Sequence, residues 1–466
     1  MTSLTATFEK KKKKKKMEGG GGSDECYCSK AEMDLFTAPP INADMERGVF
    51  VNHFPIATLA PGAPIEFSVP ASPEDYLDLG RTTLQLTMAV RKADGTALRN
   101  DQLLVPVQLL LHSMFQQVDV KLNDRLVTPS LNTYPYKAYL ETLLSHGADT
   151  KNSYLSNEGW FGGPGEGPGQ SNPYADDATA GVRARGRLIL TGRDFQLEGR
   201  PHVDIFQQER YLLPGVNMHL KFQPTRPAFH LFYDHDARAG GAAQGHFTTV
   251  IRRATLRVRR VRCNPGLSLE HAKRLESGLN ALYPLRRGVV TTFTVAQGGQ
   301  SFVKENLIQG QLPRRAFVCM VSNAAFNGAT NTNPYAFSHY DLNFLSASVG
   351  TETYPSQPFK PNFQTDQYAH VYTDLMRTIG SLNSNRGCGI SYEDFKAGGH
   401  VIFGFDFTAD MAEGPHRDRI KYGSLRLEGH FAAALANAVN VIVYAEYDNV
   451  LQIDRARNVV ADFGST

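Results

Sequence analysis

The sequence predicts an all-β chain built as two antiparallel β-sandwiches in tandem, with a few short helices and long loops. Three observations carry that expectation. Apolar residues alternate with polar or small ones in one segment after another, the period of a half-buried strand. Gly, Pro, Asn and Asp turn signals, rather than crossover helices, join most of those segments. Landmarks also recur: Tyr372 follows Tyr139 by 233 residues, each within a helical apolar stripe, and Val439 follows Val216 by 223, each opening a Val-Asn strand. Two landmarks in the same order at nearly the same spacing imply one sandwich of roughly 200 residues, copied once.

Composition sets the bounds. At 466 residues and 41% hydrophobic content the chain can bury one or two large cores. Its 41 Gly, 25 Pro, 27 Phe and 19 Tyr suit many strands joined by turns. The formal net charge is +3, but Lys10, Lys11, Lys12, Lys13, Lys14, Lys15 and Lys16 supply seven positive charges, which leaves the rest of the chain at −4. A general nucleic-acid-binding surface on the folded body is therefore not implied. Five scattered cysteines, Cys26, Cys28, Cys263, Cys319 and Cys388, do not make a disulfide framework and fit a reducing compartment. Cys26 and Cys28 have no second Cys/His pair beside them and read as unpaired thiols rather than zinc ligands. No apolar run reaches the length of a membrane span and no signal-peptide segment opens the chain, so a soluble intracellular product is expected.

Taken in order, residues 1–44 read as a flexible basic arm. The lysines repel one another and Gly19 to Gly22 form a joint. A solvated tail, contact with packaged nucleic acid and a nuclear address all fit this run. Residues 45–240 read as the first sandwich, 241–455 as the second and 456–466 as a tail. In the first, Val49 and Val51, then Ile65, Phe67 and Val69, then Leu84, Leu86, Met88 and Val90 mark strands, and Asp94-Gly95 is a turn. Strands are expected over 103–111 and 115–122. A helix over 136–145 presents Tyr139, Leu140, Leu143 and Leu144 on one face, with Gly147 as its stop. Residues 152–181, rich in Gly and Pro, form a long connection read as an outward tower or lid. Strands are expected again over 185–190 and 202–206, and in Val216, Met218, Leu220 and Phe222 after the turn at Pro214-Gly215.

The second half opens on a strand over 247–262 that sends Arg253, Arg257 and Arg259 to one side and Leu256 and Val258 to the other. That arginine face suits a neighbouring subunit's acids, phosphate or plain solvent. A short helix over 268–277 with Ser268 as N-cap follows, then strands over 289–296, 300–307, 315–321 and 341–349. A second helix over 368–379 carries the stripe Tyr372, Leu375, Met376 and Ile379, and strands over 400–407, 424–431 and 439–447 close the chain.

No convergent chemistry emerges. His235 lies between Asp234 and Asp236 beside a small-residue loop and reads as a surface turn. Gly298-Gly299 and Gly398-Gly399 lack the strand, Lys and helix order of a phosphate loop. Nucleophile-elbow, zincin and dinucleotide motifs are missing, and the 14 histidines show no ligand spacing. The chain is read as a non-enzyme, with no catalytic, cofactor-binding or metal-ligating residue singled out.

Several segments carry a family resemblance: Asp34-Leu35-Phe36-Thr37-Ala38-Pro39-Pro40, Pro64-Ile65-Glu66-Phe67, Tyr76-Leu77-Asp78-Leu79, Tyr136-Lys137-Ala138-Tyr139-Leu140-Glu141-Thr142-Leu143-Leu144, and Arg210-Tyr211-Leu212-Leu213-Pro214-Gly215-Val216. Tyr372-Thr373-Asp374-Leu375 and the terminal strand add a weaker match in the second half. On these the chain resembles the major capsid proteins of the Polinton/Maverick and adintovirus lineage, a double jelly-roll family related to adenovirus hexon. The resemblance implies a structural protein with two jelly rolls per subunit, a homotrimeric capsomer of six sandwiches and an icosahedral shell. It further implies a penton-like minor capsid protein and packaged DNA as partners, the virion as location, and assembly in the host nucleus or cytoplasm. It carries over no catalytic residue and no cofactor. Met17-Glu18-Gly19-Gly20-Gly21 is similar to the Met-x-Gly-Gly-x sites cut by adenovirus-type maturation proteases, which points to Gly20 and Gly21 as a cleavage site. The seven-lysine run and the Gly/Pro loop near Gly165 depart from the family. The competing reading is a tandem β-sandwich that binds or hydrolyses glycans, which needs an aromatic platform with paired acids; the one Trp, Trp160, lies in a loop.

Overall fold

The computed structural model describes residues 42–99, 103–161, 179–233, 238–239, 242–243, 245–385, 387–411 and 418–461. Residues from Asp44 onward form one compact unit. The lysine run, Gly20 and Gly21, the Cys26-x-Cys28 pair, the centre of the Gly/Pro loop and His235 with its flanking aspartates lie outside the described residues.

Sixteen strands make two sandwiches. In the first they are β1 (Met45–His53), β2 (Ile65–Val69), β3 (Asp75–Lys92), β4 (Phe115–Leu122), β5 (Arg125–Leu126), β6 (Phe195–Gly199), β7 (Met218–Pro224) and β8 (Phe247–Cys263). In the second they are β9 (Ala281–Val295), β10 (Ser301–Gln311), β11 (Arg315–Ser322), β12 (Leu342–Val349), β13 (Glu352–Phe359), β14 (Ile402–Asp406), β15 (Tyr422–Phe431) and β16 (Val439–Ile453). The first sandwich has sheet orders β1-β8-β3-β6 and β2-β7-β4-β5; the second has β9-β16-β11-β14 and β10-β15-β12-β13. Adding eight to each number in the first pair of sheets gives the second pair. Each half is thus an eight-stranded antiparallel sandwich of jelly-roll order, in which the last strand returns to lie beside the first. The fold is a double jelly roll.

The alternation seen in the sequence explains the registers. Leu220 faces Phe67 on one side and Val120 on the other, and all three are buried. Leu256 pairs with Leu84, and Val443 sits between Thr291 and Val318. Aromatic rings pack across neighbouring strands, Phe222 against Phe67 and Phe115 with centroids 5.9 and 5.1 Å away and Phe302 against Phe431 at 5.9 Å, and between sheets, Phe302 against Phe293 at 5.5 Å.

Four of the helices brace or connect the sheets: α1 (Tyr134–Ser145), α2 (Ala180–Leu188), α3 (Pro265–Glu276) and α4 (Ala369–Thr378). α1 and α4 occupy the same place in their copies, between the fifth and sixth strands. The Tyr139/Tyr372 landmark therefore marks two helices in equivalent places. The Val216/Val439 landmark marks no such equivalence: Val216 precedes β7, whereas Val439 opens β16, whose counterpart is β8.

Other expectations are corrected. The boundary at residue 240 is too early, because β8 hydrogen-bonds to β1 and β3 and completes the first sandwich. The chain crosses to the second through α3, capped by Asn264, whose Oδ1 accepts from the Gly266 amide at 2.9 Å, rather than by Ser268. The 456–466 tail contributes a strand, Val459–Ala461, paired with β16. Residues 185–190 are not a strand: Thr179 caps α2 by accepting from the Val182 amide, and Val182, Arg185 and Gly186 bury one helical face. Residues 202–206 bend into a 3-10 turn, and 103–111 split into Leu104–Pro106 and a four-residue helix, Leu110–Ser113, because Leu109 takes a left-handed φ of 54°. Of the 152–181 connection, the described part is not all tower: Tyr154–Glu158 is a 3-10 turn, and Leu155 and Trp160 are buried.

Candidate functional site

α1 is the helix on which the two sandwiches meet. Every residue from Tyr134 to Leu144 is buried, charged ones included. Its aromatic side stacks on the second sandwich: Tyr139 lies face to face with Tyr335 at 4.0 Å and 3°, and Tyr136 stacks on Phe326 at 5.3 Å. Trp160 closes the stack on Tyr139 at 5.4 Å. The Tyr335 hydroxyl is 2.6 Å from Ser113 Oγ in the first sandwich.

The polar side of α1 carries charge. Lys137 Nζ donates to Asp204 and lies 3.8 Å from Glu141 Oε1. Asp204 Oδ1 also accepts from the Gly288 amide of β9 at 3.2 Å. Glu141 accepts from Tyr444 of β16 at 3.3 Å and from Gln207 Nε2 at 2.7 Å, and its Oε2 is 2.8 Å from His202 Nδ1. Burial opposes the Lys137 charge, but Asp204 and Glu141 outweigh it and hold the ammonium's pKa above its ordinary value. Burial pushes the Glu141 and Asp204 carboxyls up against the pull of Lys137. Arg287, lying over the Tyr447 ring at 4.9 Å, adds a second cation to the neighbourhood.

Lys151 ties the same seam elsewhere, donating to the carbonyls of Leu143 at 2.8 Å and Cys388 at 2.5 Å. Burial lowers its pKa to about 8. Beside it a cavity of about 150 Å³ is lined by Tyr139, Lys151, Trp160, Tyr335 and His400.

The fold also gathers a group that the sequence scatters. His112 Nε2 lies 3.2 Å from Glu158 Oε2, and a nitrogen of His202 completes a trio of ligand-type atoms all within 4.8 Å of one another. The His112 and His202 rings meet edge to face at 4.6 Å. Burial, with His112 alongside, pushes the His202 pKa well below its ordinary value, while hydrogen bonding to His112 holds Glu158 lower despite burial. Residues this far apart in the chain carry no spacing motif. Only the packing of three segments against α1 reveals them.

On the arginine face of β8, Arg257 and Arg259 are paired with acids of the same chain, whereas Arg253 lies over the Phe54 ring. Arg257 reaches Glu198 at 2.8 Å, Arg259 reaches Asp78 at 2.7 Å, and Arg262 reaches Glu74 at 2.8 Å. Apolar side chains also face outward: Phe50 on the edge strand β1, Phe54 and Ile56 just after it are more than half exposed, with Arg257 and Arg253 over the two rings. An unpaired edge with outward rings is surface that association would cover. No helix among the described residues is long and apolar enough to cross a membrane.

Comparison with known proteins agrees with this architecture. No protein-family model matches the sequence. An uncharacterised protein of Caenorhabditis elegans is 24% identical over 410 residues, covering 86% of this chain and 93% of its own length. A chain of the Sputnik virophage superposes with a TM-score of 0.61 at 11% identity, over 94% of this chain and 93% of that one. The mavirus major capsid protein gives 0.52 at 12% identity, over 96% and 97%. A chain of the PBCV-1 virus capsid gives 0.55 at 11% identity, over 92% of this chain and 100% of that one. These likenesses run through both jelly rolls and establish the shared fold.

Proposed function

We propose that this protein builds a shell: it is a major capsid protein whose homotrimers form pseudo-hexagonal capsomers of an icosahedral DNA-virus or virus-like transposon particle. The observation that carries the reading is the pairing of two jelly rolls in one compact unit, a fold shared over nearly the whole chain with the mavirus major capsid protein. Three such subunits around one axis present six sandwiches, so a threefold object takes the outline a hexagonal sheet needs. The α1 seam supports this, since its stacked rings and buried ion pairs hold the two sandwiches of a subunit at one angle.

The finer assignments follow from the sequence resemblance: the Polinton/Maverick and adintovirus lineage, a penton-like partner, location in the virion, and assembly in the host nucleus or cytoplasm. Lys10 to Lys16 are assigned to packaged DNA, and Gly20-Gly21 to maturation cleavage. The internal pairing of Arg257, Arg259 and Arg262 favours the arm over β8 as the place for phosphate contacts. The glycan-binding alternative loses its platform, because Trp160 is only 4% exposed and stacked on Tyr139.

Electron microscopy and light scattering on the full chain test the reading. Uniform trimers of the 51.5 kDa subunit, or shells, are expected; a monomer whose melting rises with added oligosaccharide would overturn it. Deleting residues 1–20 should leave the trimer intact while changing nucleic-acid retention or particle yield, and loss of soluble trimer would show that the arm belongs to the fold.

A further inference from the structure

We propose that His112, Glu158 and His202 form a buried divalent-metal site, with zinc as the ion their chemistry favours, beside the seam between the two jelly rolls. Two imidazoles and one carboxylate are a recognised zinc donor set, and a tetrahedral ion with ligands at about 2.0–2.1 Å separates them by roughly 3.3 Å. His112 Nε2 and Glu158 Oε2 are 3.2 Å apart, and the trio falls within 4.8 Å. Small side-chain rotations therefore bring all three onto one ion, with a water in the fourth position.

The surroundings are those of a built site. The side chains of the trio are 3%, 9% and 11% exposed. Each imidazole has a partner for its other nitrogen: His202 Nδ1 lies 2.8 Å from the Glu141 carboxylate, and His112 Nδ1 lies 2.9 Å from the Tyr134 hydroxyl. Such partners fix tautomer and ring orientation and leave the Nε2 atoms free to ligate. His202 Nε2 has only a long contact to give up, 3.3 Å to Thr142 Oγ1.

Glu158 is held from two sides. Asn157 Nδ2 donates to the Glu198 carbonyl at 2.9 Å, tying its turn to β6. Gly199 leaves room that a Cβ would remove, since that atom would sit 2.5 Å from Glu158 Cδ. An ion here would cross-link the helix Leu110–Ser113, the turn Tyr154–Glu158 and the segment after β6, all against α1, and so stiffen the half of the seam that carries Lys137 and Glu141.

The test uses the full-length protein, stripped with a chelator and titrated with Zn²⁺ and with Co²⁺. One equivalent per chain, a rise in melting temperature on zinc addition and a Co²⁺ visible spectrum of a four-coordinate nitrogen/oxygen site are expected. X-ray absorption on zinc-loaded wild type should show two imidazole ligands, a readout that needs no variant. His202→Gln and Glu158→Gln should each weaken Zn²⁺ binding at least tenfold, and Glu141→Gln by about 10–100-fold through the imidazole it orients. The proposal is overturned if the wild type binds neither ion and melts identically with chelator and with zinc, which would leave a hydrogen-bonded histidine pair only. It is equally overturned if zinc binds but absorption shows no imidazole, or if folded variants bind as the wild type does.

Discussion

The face-to-face contact of Tyr139 with Tyr335 makes a quantitative prediction about how the two jelly rolls hold together. Replacing either ring by Leu keeps most of the volume, so each substitution should cost less than the about 3–5 kcal/mol of truncating a buried aromatic to Ala. The shared part is the informative quantity. Aromatic pairs in offset or edge-on geometry contribute about 0.5–1.5 kcal/mol beyond area burial, and centroids 4.0 Å apart at 3° make a near face-to-face sandwich, the arrangement at the lower end of that range. Tyr139→Leu, Tyr335→Leu and the double variant should therefore show a coupling of about 0.5 kcal/mol in urea unfolding. The single Trp of the chain is a built-in probe, because Trp160 stacks on Tyr139 at 5.4 Å. Its fluorescence reports the seam while far-ultraviolet dichroism reports both sandwiches, and the two transitions should coincide in wild type. A coupling indistinguishable from zero, or a Trp160 transition well ahead of the dichroism, would mean that the rings merely touch and that the sandwiches cohere by other means.

Acid should weaken the fold through two buried histidines. Burial lowers the pKa values of His230 and His400 to about 4, with Lys151 lowering and Asp394 raising the latter. The unfolded chain binds these protons first, so the stability is full above about pH 6.5 and is lost as pH falls toward 4, by about 3 kcal/mol per histidine. Melting between pH 7.5 and 4.5 should show this, and His230→Gln, kept between Thr225 and Thr249, should flatten the slope; an unchanged slope would refute it. Arg259→Ala should cost about 1–3 kcal/mol by leaving buried Asp78 with Arg81 at 3.8 Å, without altering nucleic-acid retention. Loss of retention at unchanged stability would restore the phosphate reading of that face. Gly288→Ala should cost about 1–3 kcal/mol, since its Cβ would lie 2.8 Å from the Tyr444 ring and 3.0 Å from Glu141 Oε1. A melt equal to wild type would show that the seam yields there.

What could be read from the sequence was whatever repeats locally. Alternation located most strands because one face of each is buried, and an amphipathic stripe found α4, whose buried residues are Val371, Leu375, Met376 and Thr378. The errors fall where a local pattern has two solutions. The run Arg185 to Leu190 alternates like a strand, yet Thr179 offers a helix cap and tertiary burial decides for the helix. Val216 and Val439 look alike because each stands at the entry to a buried strand, but resemblance between strands says nothing of which neighbour each will pair with. The domain boundary failed for the same reason: that β8 returns to β1 is a non-local fact with no signal at residue 240. His112, Glu158 and His202 are the extreme case, three side chains without any shared spacing.

α1 shows why the seam itself was hidden. Lys137 and Glu141 are four apart on a helix, which in isolation reads as a solvated ion pair on the outer face. In α4, the equivalent helix of the second copy, the outer face is indeed exposed at His370 and Arg377. In α1 that face meets the other sandwich, so charges that cost little on a lone module must be matched by Asp204, Gln207, the Gly288 amide and Tyr444. An aliphatic seam would tolerate sliding by a fraction of a residue. This one resists it, because a shift takes the Gly288 amide from Asp204 and the Tyr444 hydroxyl from Glu141 and leaves both buried carboxyls to partners in the first sandwich alone. Polar matching at a buried seam thus fixes the angle between the sandwiches, and an angle held to one value is what a subunit must supply if copies of it are to tile.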